Sequence, residues 1–421
     1  MAAPPLAAAC TQAPAGGDFP LPDRPAVPHA EAAWAAFRAW GSPRFHVAPM
    51  VDASELPFRL LCRRYGAAAA YTPMLHSRLF LEDERYRAEH FTTCEADRPL
   101  FVQFCANDPD TLLAAARVAE PHCDAIDLNL GCPQHIARRG RYGAYLMDEL
   151  PLVERLVRTL ASGLRVPVSV KIRIFPELAH TLAYAHMLEA AGASIVAVHG
   201  RTRDQKKSHT VRADWDAIRA VKRALSVPVL ANGNVRTLAD AEACLAYTGC
   251  DGVLSAESLL ADPALFWRRR GEPGGAWVPL DAPALLLEYL DLVDRHPVPN
   301  RMVRAHAFKI LGAWLAEHVD LRNELHRGRA DPASVRTLAL TLRERIAASG
   351  RAAPVPVLTE RARLRLEAEA ARADAIAEQE REGLLLARLQ AKRAAGAIAA
   401  APPVGAGGLL ETEAGLVAVQ S

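Results

Sequence analysis

The chain has 421 residues, 51% of them hydrophobic and 23% charged, with 50 Lys and Arg against 48 Asp and Glu for a net charge of +2. That is the balance of a globular chain long enough to bury a core, and no apolar run reaches the ~18–20 residues that span a membrane. Eight scattered cysteines without a C-x-x-C pair exclude a disulfide scaffold and offer no zinc spacing, so no metal is expected and the compartment reads as reducing.

In chain order, Ala and Pro dominate residues 1–43, and Pro20, Pro22, Pro25 and Pro28 oppose regular structure. This segment is expected to be disordered, apart from a short helix over Glu31–Trp40 that ends near Gly41. Met1–Phe19 has no early basic residue and a proline-broken apolar stretch, which argues against a secretory signal. Asp18, Asp23 and Glu31 count against a transit peptide. The expected location is cytoplasmic, with the nucleus as a second compartment and organelle targeting left open.

From residue 44 the texture changes. Short apolar runs predict strands at Phe45–Ala48, Ala68–Tyr71, Leu100–Phe104, Ala125–Leu128, Val168–Ile172, Ile195–Val198, Val229–Ala231 and Gly252–Ser255. Amphipathic stretches between them predict helices over Glu55–Tyr65, Pro109–Ala119, Leu150–Ser162, Leu178–Ala190, Asp214–Ala224 and Thr237–Tyr247. Asp108-Pro109 and Asp214 are helix-start signals, and Gly66, Gly163, Gly192 and Gly249 fall at helix ends. A doubly wound sheet would place a glycine-rich turn after the first strand, where this chain reads A-P-M-V-D-A-S. Polar residues instead follow many different strands: Asp52, Gln103, Asn129, Lys171, Arg173, His199, Asn232 and Glu257. The fold class is therefore α/β, a (β/α)8 TIM barrel over 44–275. An all-helical segment follows over 280–350, with helices at Ala282–Arg295, Asn300–His318 and Asp331–Ser349 joined by a link around Asp320–Arg329. The remainder, 355–421, reads as a charged tail, helical then disordered.

The sharpest local feature is D-L-N-L-G-C-P at 127–133, with Cys132 on a strand-end loop. An isolated cysteine is most often a buried hydrophobe. At a barrel mouth, a thiol of ordinary pKa, about 8.5, is protonated and can donate a proton, or can act as a nucleophile if a base such as His135 serves it. Lys171 and Arg173 share one face of a strand, so both enter the mouth or neither does. A solvated salt bridge is the plain reading of that Lys, and a satisfied core imidazole is the plain reading of His199. Asn232-Gly233-Asn234 and Ala256-Glu257 end the seventh and eighth strands, where barrels hold a phosphate on backbone N–H groups. Together these describe a seat for a phosphate-bearing cofactor that flavin mononucleotide would fit. Basic residues cluster at 201–212, at Arg268–Arg270 and at Arg301, Arg304, His306 and Lys309; such runs are usually solvated faces, but beside a redox pocket they point to nucleic acid.

The motifs resemble the FMN-dependent tRNA-dihydrouridine synthases. The matching stretches are A-P-M-V-D-A-S-E-L-P-F-R at 48–59, V-Q-F-C-A-N-D-P at 102–109, D-A-I-D-L-N-L-G-C-P-Q at 124–134, R-R-G-R-Y-G-A-Y-L at 138–146, V-H-G-R-T at 198–202, A-N-G-N at 231–234 and S-A-E at 255–257. The chain looks most like the eukaryotic branch that acts on uridines 16 and 17 of the tRNA D-loop. The resemblance implies FMN as cofactor, NADPH as reductant, tRNA as partner and a monomeric, membrane-free enzyme. It implies that Pro49, Met50 and Val51 line the flavin, that Gln103 and Lys171 address its ring with His199 alongside, and that Asn232, Gly233, Asn234, Ala256 and Glu257 cradle its phosphate. Cys132 matches the general acid, Asn129 and Arg201 match positions near the flipped uridine, and Arg304, His306 and Lys309 in V-R-A-H-x-x-K match an RNA-facing motif. Ser258 replaces the family's usual glycine, and the 206–211 loop lacks an expected one. A flavin barrel reducing a free pyrimidine, and an RNA-binding barrel without catalysis, are the competing readings; the helical segment and basic clusters oppose the first, and Cys132, Lys171 and His199 together oppose the second.

Overall fold

The computed structural model describes residues 28–205, 211–267 and 281–351. Nine strands form among the described residues: β1 (Phe45–Val47), β2 (Ala69–Tyr71), β3 (Leu75–His76), β4 (Leu100–Cys105), β5 (Ala125–Leu130), β6 (Val168–Arg173), β7 (Ile195–His199), β8 (Val229–Asn232) and β9 (Gly252–Ser255). Eight close into a ring of parallel pairs, from β1 through β2, β4, β5, β6, β7 and β8 to β9 and back to β1. The unforeseen β3 pairs with β4 further along, after Pro73 interrupts the run.

The helices around the barrel are α1 (Ala30–Ala39), α2 (Leu56–Arg64), α3 (Ser77–Glu82), α4 (Glu84–His90), α5 (Pro109–Ala119), α6 (His135–Gly140), α7 (Leu150–Gly163), α8 (Leu178–Ala190), α9 (Trp215–Ala224), α10 (Leu238–Thr248) and α11 (Glu257–Ala261). Their starts follow local chemistry. The Asp108 carboxylate accepts from Thr111 N at 2.8 Å, Asp214 accepts from Ala217 N at 2.8 Å, and Thr237 forms a capping box with Asp240. Gly66, Gly192 and Gly249 take positive φ where helices end, as expected. α3, α4 and α6 have no counterpart in the sequence reading; each is seven residues or fewer, too short for a periodic signal.

The period-two alternation of the strands sorts their side chains. Val47, Val102, Ile126, Leu128, Val170, Val196 and Val229 face outward and share one core with the helices. Ala48, Ala69, Tyr71, Phe101, Ala125, Ala197 and Leu254 face inward and form a second cluster with Phe37 of α1. α1 thus lies against the foot of the barrel: Trp34 Nε1 donates to Ser226 O at 2.7 Å, and Trp40 packs edge-on against Phe101. Within the segment 1–43, the short helix expected over Glu31–Trp40 forms as α1, because Trp34, Phe37 and the C-cap residue Trp40 pack against the barrel floor.

The helical segment holds α12 (Ala282–Arg295), α13 (Asn300–Ile310), α14 (Gly312–Glu317), α15 (Val319–Arg327) and α16 (Pro332–Ser349). The helix expected over Asn300–His318 is broken at Leu311, before a glycine of poor helix propensity, and the expected link at 320–329 is mostly helical. α12 and α13 pack on α2 through Tyr289, His306 and Glu288. The tail over 355–421 and Arg268–Arg270 lie outside the described residues. Among those described, no helix is long and apolar enough to cross a membrane.

Candidate active site

The C-terminal strand ends gather the polar residues. Register places Gln103 beside Asp127, Asn129 beside Lys171, and Arg173 and Asn232 on either side of His199. These residues belong to the inward-facing series of their strands, so one mouth collects them.

Cys132 is half-buried on the loop after β5. Its backbone N–H and that of Gly131 donate to Asn129 Oδ1, at 2.9 and 3.2 Å. Its carbonyl accepts from Ala144 N at 3.0 Å. Gly143 makes this seat possible: it has φ +65, and a Cβ there would stand 2.7 Å from Cys132 O. The R-Y-G-A stretch is thus a backing for the cysteine loop. Arg173 braces the same loop, donating from Nε to Gly131 O at 2.9 Å and from Nη1 to Thr202 O at 2.8 Å.

Lys171 is half-buried, and its ammonium makes no hydrogen bond among the described residues. Burial, then the neighbouring Arg173 charge, lowers its pKa to about 8. Burial and the charge of Arg201 lower Arg173 to about 10. The Cys132 sulfur lies within electrostatic reach of both. Below them, Gln103 is buried; its Nε2 donates to Asp127 Oδ2 at 2.7 Å and its Oε1 accepts from Asn129 Nδ2 at 2.8 Å. Burial raises the Asp127 carboxyl to about 6.

On the other side of the mouth, Arg201 is 3% exposed. Its Nη1 lies 2.9 Å from His199 Nε2, its Nη2 donates to Asn234 Oδ1 at 2.8 Å, and its Nε donates to Val211 O at 2.8 Å. A guanidinium only donates, so His199 Nε2 accepts and the ring proton sits on Nδ1. Burial, then the charges of Lys171, Arg173 and Arg201, hold His199 neutral, well below the usual imidazole range. These three contacts lie on the loops after β7 and β8. Asn234, at φ +61, also accepts from Ala213 N, and Gly233, at φ +117, packs its bare Cα against Ala213 and the His199 ring. Asn232 Nδ2 donates to Leu254 O at 2.9 Å. Ala256 and Glu257 open α11, where Ser258 has no positive φ, so the usual glycine is not required there.

Pro49 and Met50 are half-buried and Val51 is 62% exposed on the loop after β1. In α13 the expected RNA-facing trio separates. Lys309 is exposed, and Arg304 is half-buried with Nη2 donating to Gly328 O at 2.6 Å. His306 is 1% exposed, stacked on Phe58 and bonded to Glu55. Charge pairing also thins the basic clusters: Arg203 pairs with Asp148, and Arg301 with Asp52 and Glu89. Residues 206–210 lie outside the described residues. The sequence reading missed Asp127, although it stands two residues before Asn129 and so shares its face.

Fold and mouth define a parallel (β/α)8 barrel whose strand ends gather cationic side chains and a glycine-opened backbone. The model of the family described as dihydrouridine synthase matches residues 46–340, and the chain belongs to that family. It is 51% identical over 290 residues to a tRNA-dihydrouridine(16/17) synthase-like protein of Rattus norvegicus, covering 68% of this chain and 64% of that one. It is 43% identical over 306 residues to the tRNA-dihydrouridine(16/17) synthase of Schizosaccharomyces pombe, covering 68% and 74%. Against a tRNA-dihydrouridine(20a/20b) synthase-like protein of Homo sapiens the identity is 41% over 222 residues, covering 52% and 69%. The match spans 64% of the length of the rat relative and 59% of the mouse one.

Proposed function

We propose that this chain reduces the C5–C6 double bond of uridines in tRNA to 5,6-dihydrouridine, at positions 16 and 17, using FMN and NADPH. The observation that carries the reading is the seated Cys132 beside two cations, in a chain whose match to proteins named for positions 16/17 is longer and stronger than its match to those named for 20a/20b.

The donor set fits FMN. Among the described residues no acceptor meets the Lys171 ammonium, and a flavin ring oxygen or nitrogen would supply one. Lys171 and the neutral His199 would hold the ring, and the backbone of Gly233, Asn234, Ala256 and Glu257 would hold the phosphate. When bound and reduced, FMN would supply the hydride for C6 of the uracil. Cys132 Sγ gives its proton to C5, completing the addition of two hydrogens, and takes a proton back from solvent. The target base must leave the RNA stack to reach a strand-end cysteine.

The test is reconstitution: the purified protein with FMN, NADPH and tRNA lacking dihydrouridine, followed by mapping of the product base. Dihydrouridine at 16 and 17 is expected. Its formation only from free pyrimidine, or at other tRNA positions, would overturn the substrate assignment.

A further inference from the structure

We propose that Asp127 is a positioning residue whose carboxylate fixes, through the side-chain amides of Gln103 and Asn129, the loop that carries Cys132.

Asp127 lies on β5, fully buried, two residues before Asn129 and about 7 Å deeper in the barrel along the same inward-facing series. At that depth it belongs to the barrel's interior and not to its mouth. Its environment is polar: Gln103 beside it in register on β4, with the Ser169 hydroxyl and the Lys171 ammonium on β6 nearby.

The argument is one of hydrogen-bond polarity. An ionised carboxylate only accepts, so Gln103 must turn Nε2 toward it, at 2.7 Å. Gln103 Oε1 then faces Asn129, which must answer with Nδ2, at 2.8 Å. That leaves Asn129 Oδ1 for the N–H groups of Gly131 and Cys132, at 3.2 and 2.9 Å. The far end requires the same sense, because backbone N–H groups only donate. A flip of either amide would set donor against donor or acceptor against acceptor. The chain therefore has one consistent reading, anchored by the carboxylate at one end and the cysteine loop at the other. Without the anchor, Gln103 Nε2 loses the acceptor that orients it, Asn129 Nδ2 loses a fixed acceptor, and Asn129 is held at its proper distance from the cysteine loop only by its two bonds to the Gly131 and Cys132 N–H groups. Each lost buried hydrogen bond matters at roughly the tenfold level.

The functional part of this inference rests on Cys132 as proton donor, whereas the relay rests on geometry alone. The test compares full-length, FMN-loaded wild type with Asp127→Leu, which keeps the branched shape and removes the acceptor, and Asp127→Asn, which can still offer an oxygen to Gln103. Three quantities are read: deuterium exchange in the peptide spanning 129–135, dihydrouridine formation on tRNA, and NADPH oxidation by an artificial dye, which does not need Cys132. In Asp127→Leu, exchange at 131–132 rises and tRNA reduction falls, each by roughly tenfold or more, while dye-linked oxidation stays within about threefold. Asp127→Asn restores all three to near wild type. If Asp127→Leu does not fold, Asp127→Ser, too short to reach Gln103, replaces it with the same expectations. Unchanged exchange in the acceptor-free variant overturns the relay, and a parallel fall of dye-linked and tRNA activity overturns it in favour of a general structural role. Wild type that makes no dihydrouridine would defeat the functional reading, and the exchange contrast would still decide the relay.

Discussion

His306 Nε2 lies 3.0 Å from Oε1 and 3.1 Å from Oε2 of Glu55, so a histidine of the helical segment is clasped by the carboxylate that opens the first barrel helix. The Tyr289 hydroxyl donates to the same carboxylate at 2.8 Å. Both partners are buried, and His306, Tyr289 and the Glu55 neighbour Phe58 stack around the contact. The helical segment is thereby joined to α2 at the edge of the mouth.

This junction predicts a stability defect. Despite burial, which pushes its pKa up, the Glu55 carboxyl is held below its ordinary value by His306 and Tyr289. Its folded pKa is the lower one, so its contribution is present above the unfolded value of 4.5 and is lost as pH falls through the folded value. Glu55→Ala should cost about 3–5 kcal/mol at neutral pH, because it strands the buried His306 and Tyr289 groups. Urea unfolding measures this, and a loss below about 1 kcal/mol would contradict it.

Lys171 should make FMN affinity depend on pH. With its pKa lowered to about 8, the amine is charged below that pH and neutral above it. An acceptor on the ligand favours the charged form, so FMN binding should weaken as pH rises through 8, with a proton taken up on binding. Lys171→Met should bind more weakly and lose the pH dependence between 7 and 9.5. Fluorescence titration reads both. For stability the sign is separate: between 8 and 10.5 the unfolded chain holds more protons, so the cost of burying the charged amine is relieved as pH rises.

Cys132→Ala should keep bound flavin and its absorption spectrum yet lose roughly 10²–10⁴-fold in tRNA reduction, the usual worth of a positioned acid. Single-turnover rates are the appropriate measure. Turnover near wild type would remove Cys132 from its role.

Arg201→Ala should raise the FMN dissociation constant by roughly tenfold, since Arg201 ties the β7 and β8 loops together through His199 and Asn234. At saturating FMN the KM for tRNA should be unchanged. A selective rise in that KM would place Arg201 on the substrate side instead.

Lys309 is the exposed cation of its motif, and it should act on RNA by charge. Lys309→Ala should weaken tRNA binding and reduce the slope of log affinity against log salt by about one unit. His306→Phe, which keeps the stacked ring, should leave that slope alone. Filter binding across a salt series separates the two.

Much of this protein was legible along the chain. The barrel follows from strands and helices alternating at regular spacing with polar residues after each strand, and eight strand positions and the Asp108, Asp214 and Gly249 helix ends follow from local chemistry. That Cys132, Lys171 and His199 stand at the barrel mouth follows from period-two alternation and strand-end position. What each polar side chain does there was decided only in three dimensions. Arg201, His306 and Arg304 are ordinary cations in a sequence, and their partners, Asn234, Glu55 and Gly328, lie 24 to 251 residues away. The same holds for Asp127, whose link to Cys132 passes through a glutamine on the neighbouring strand. Periodicity reports the face a side chain occupies; the partner it meets there is set by strand register, which brings distant segments within a single hydrogen bond.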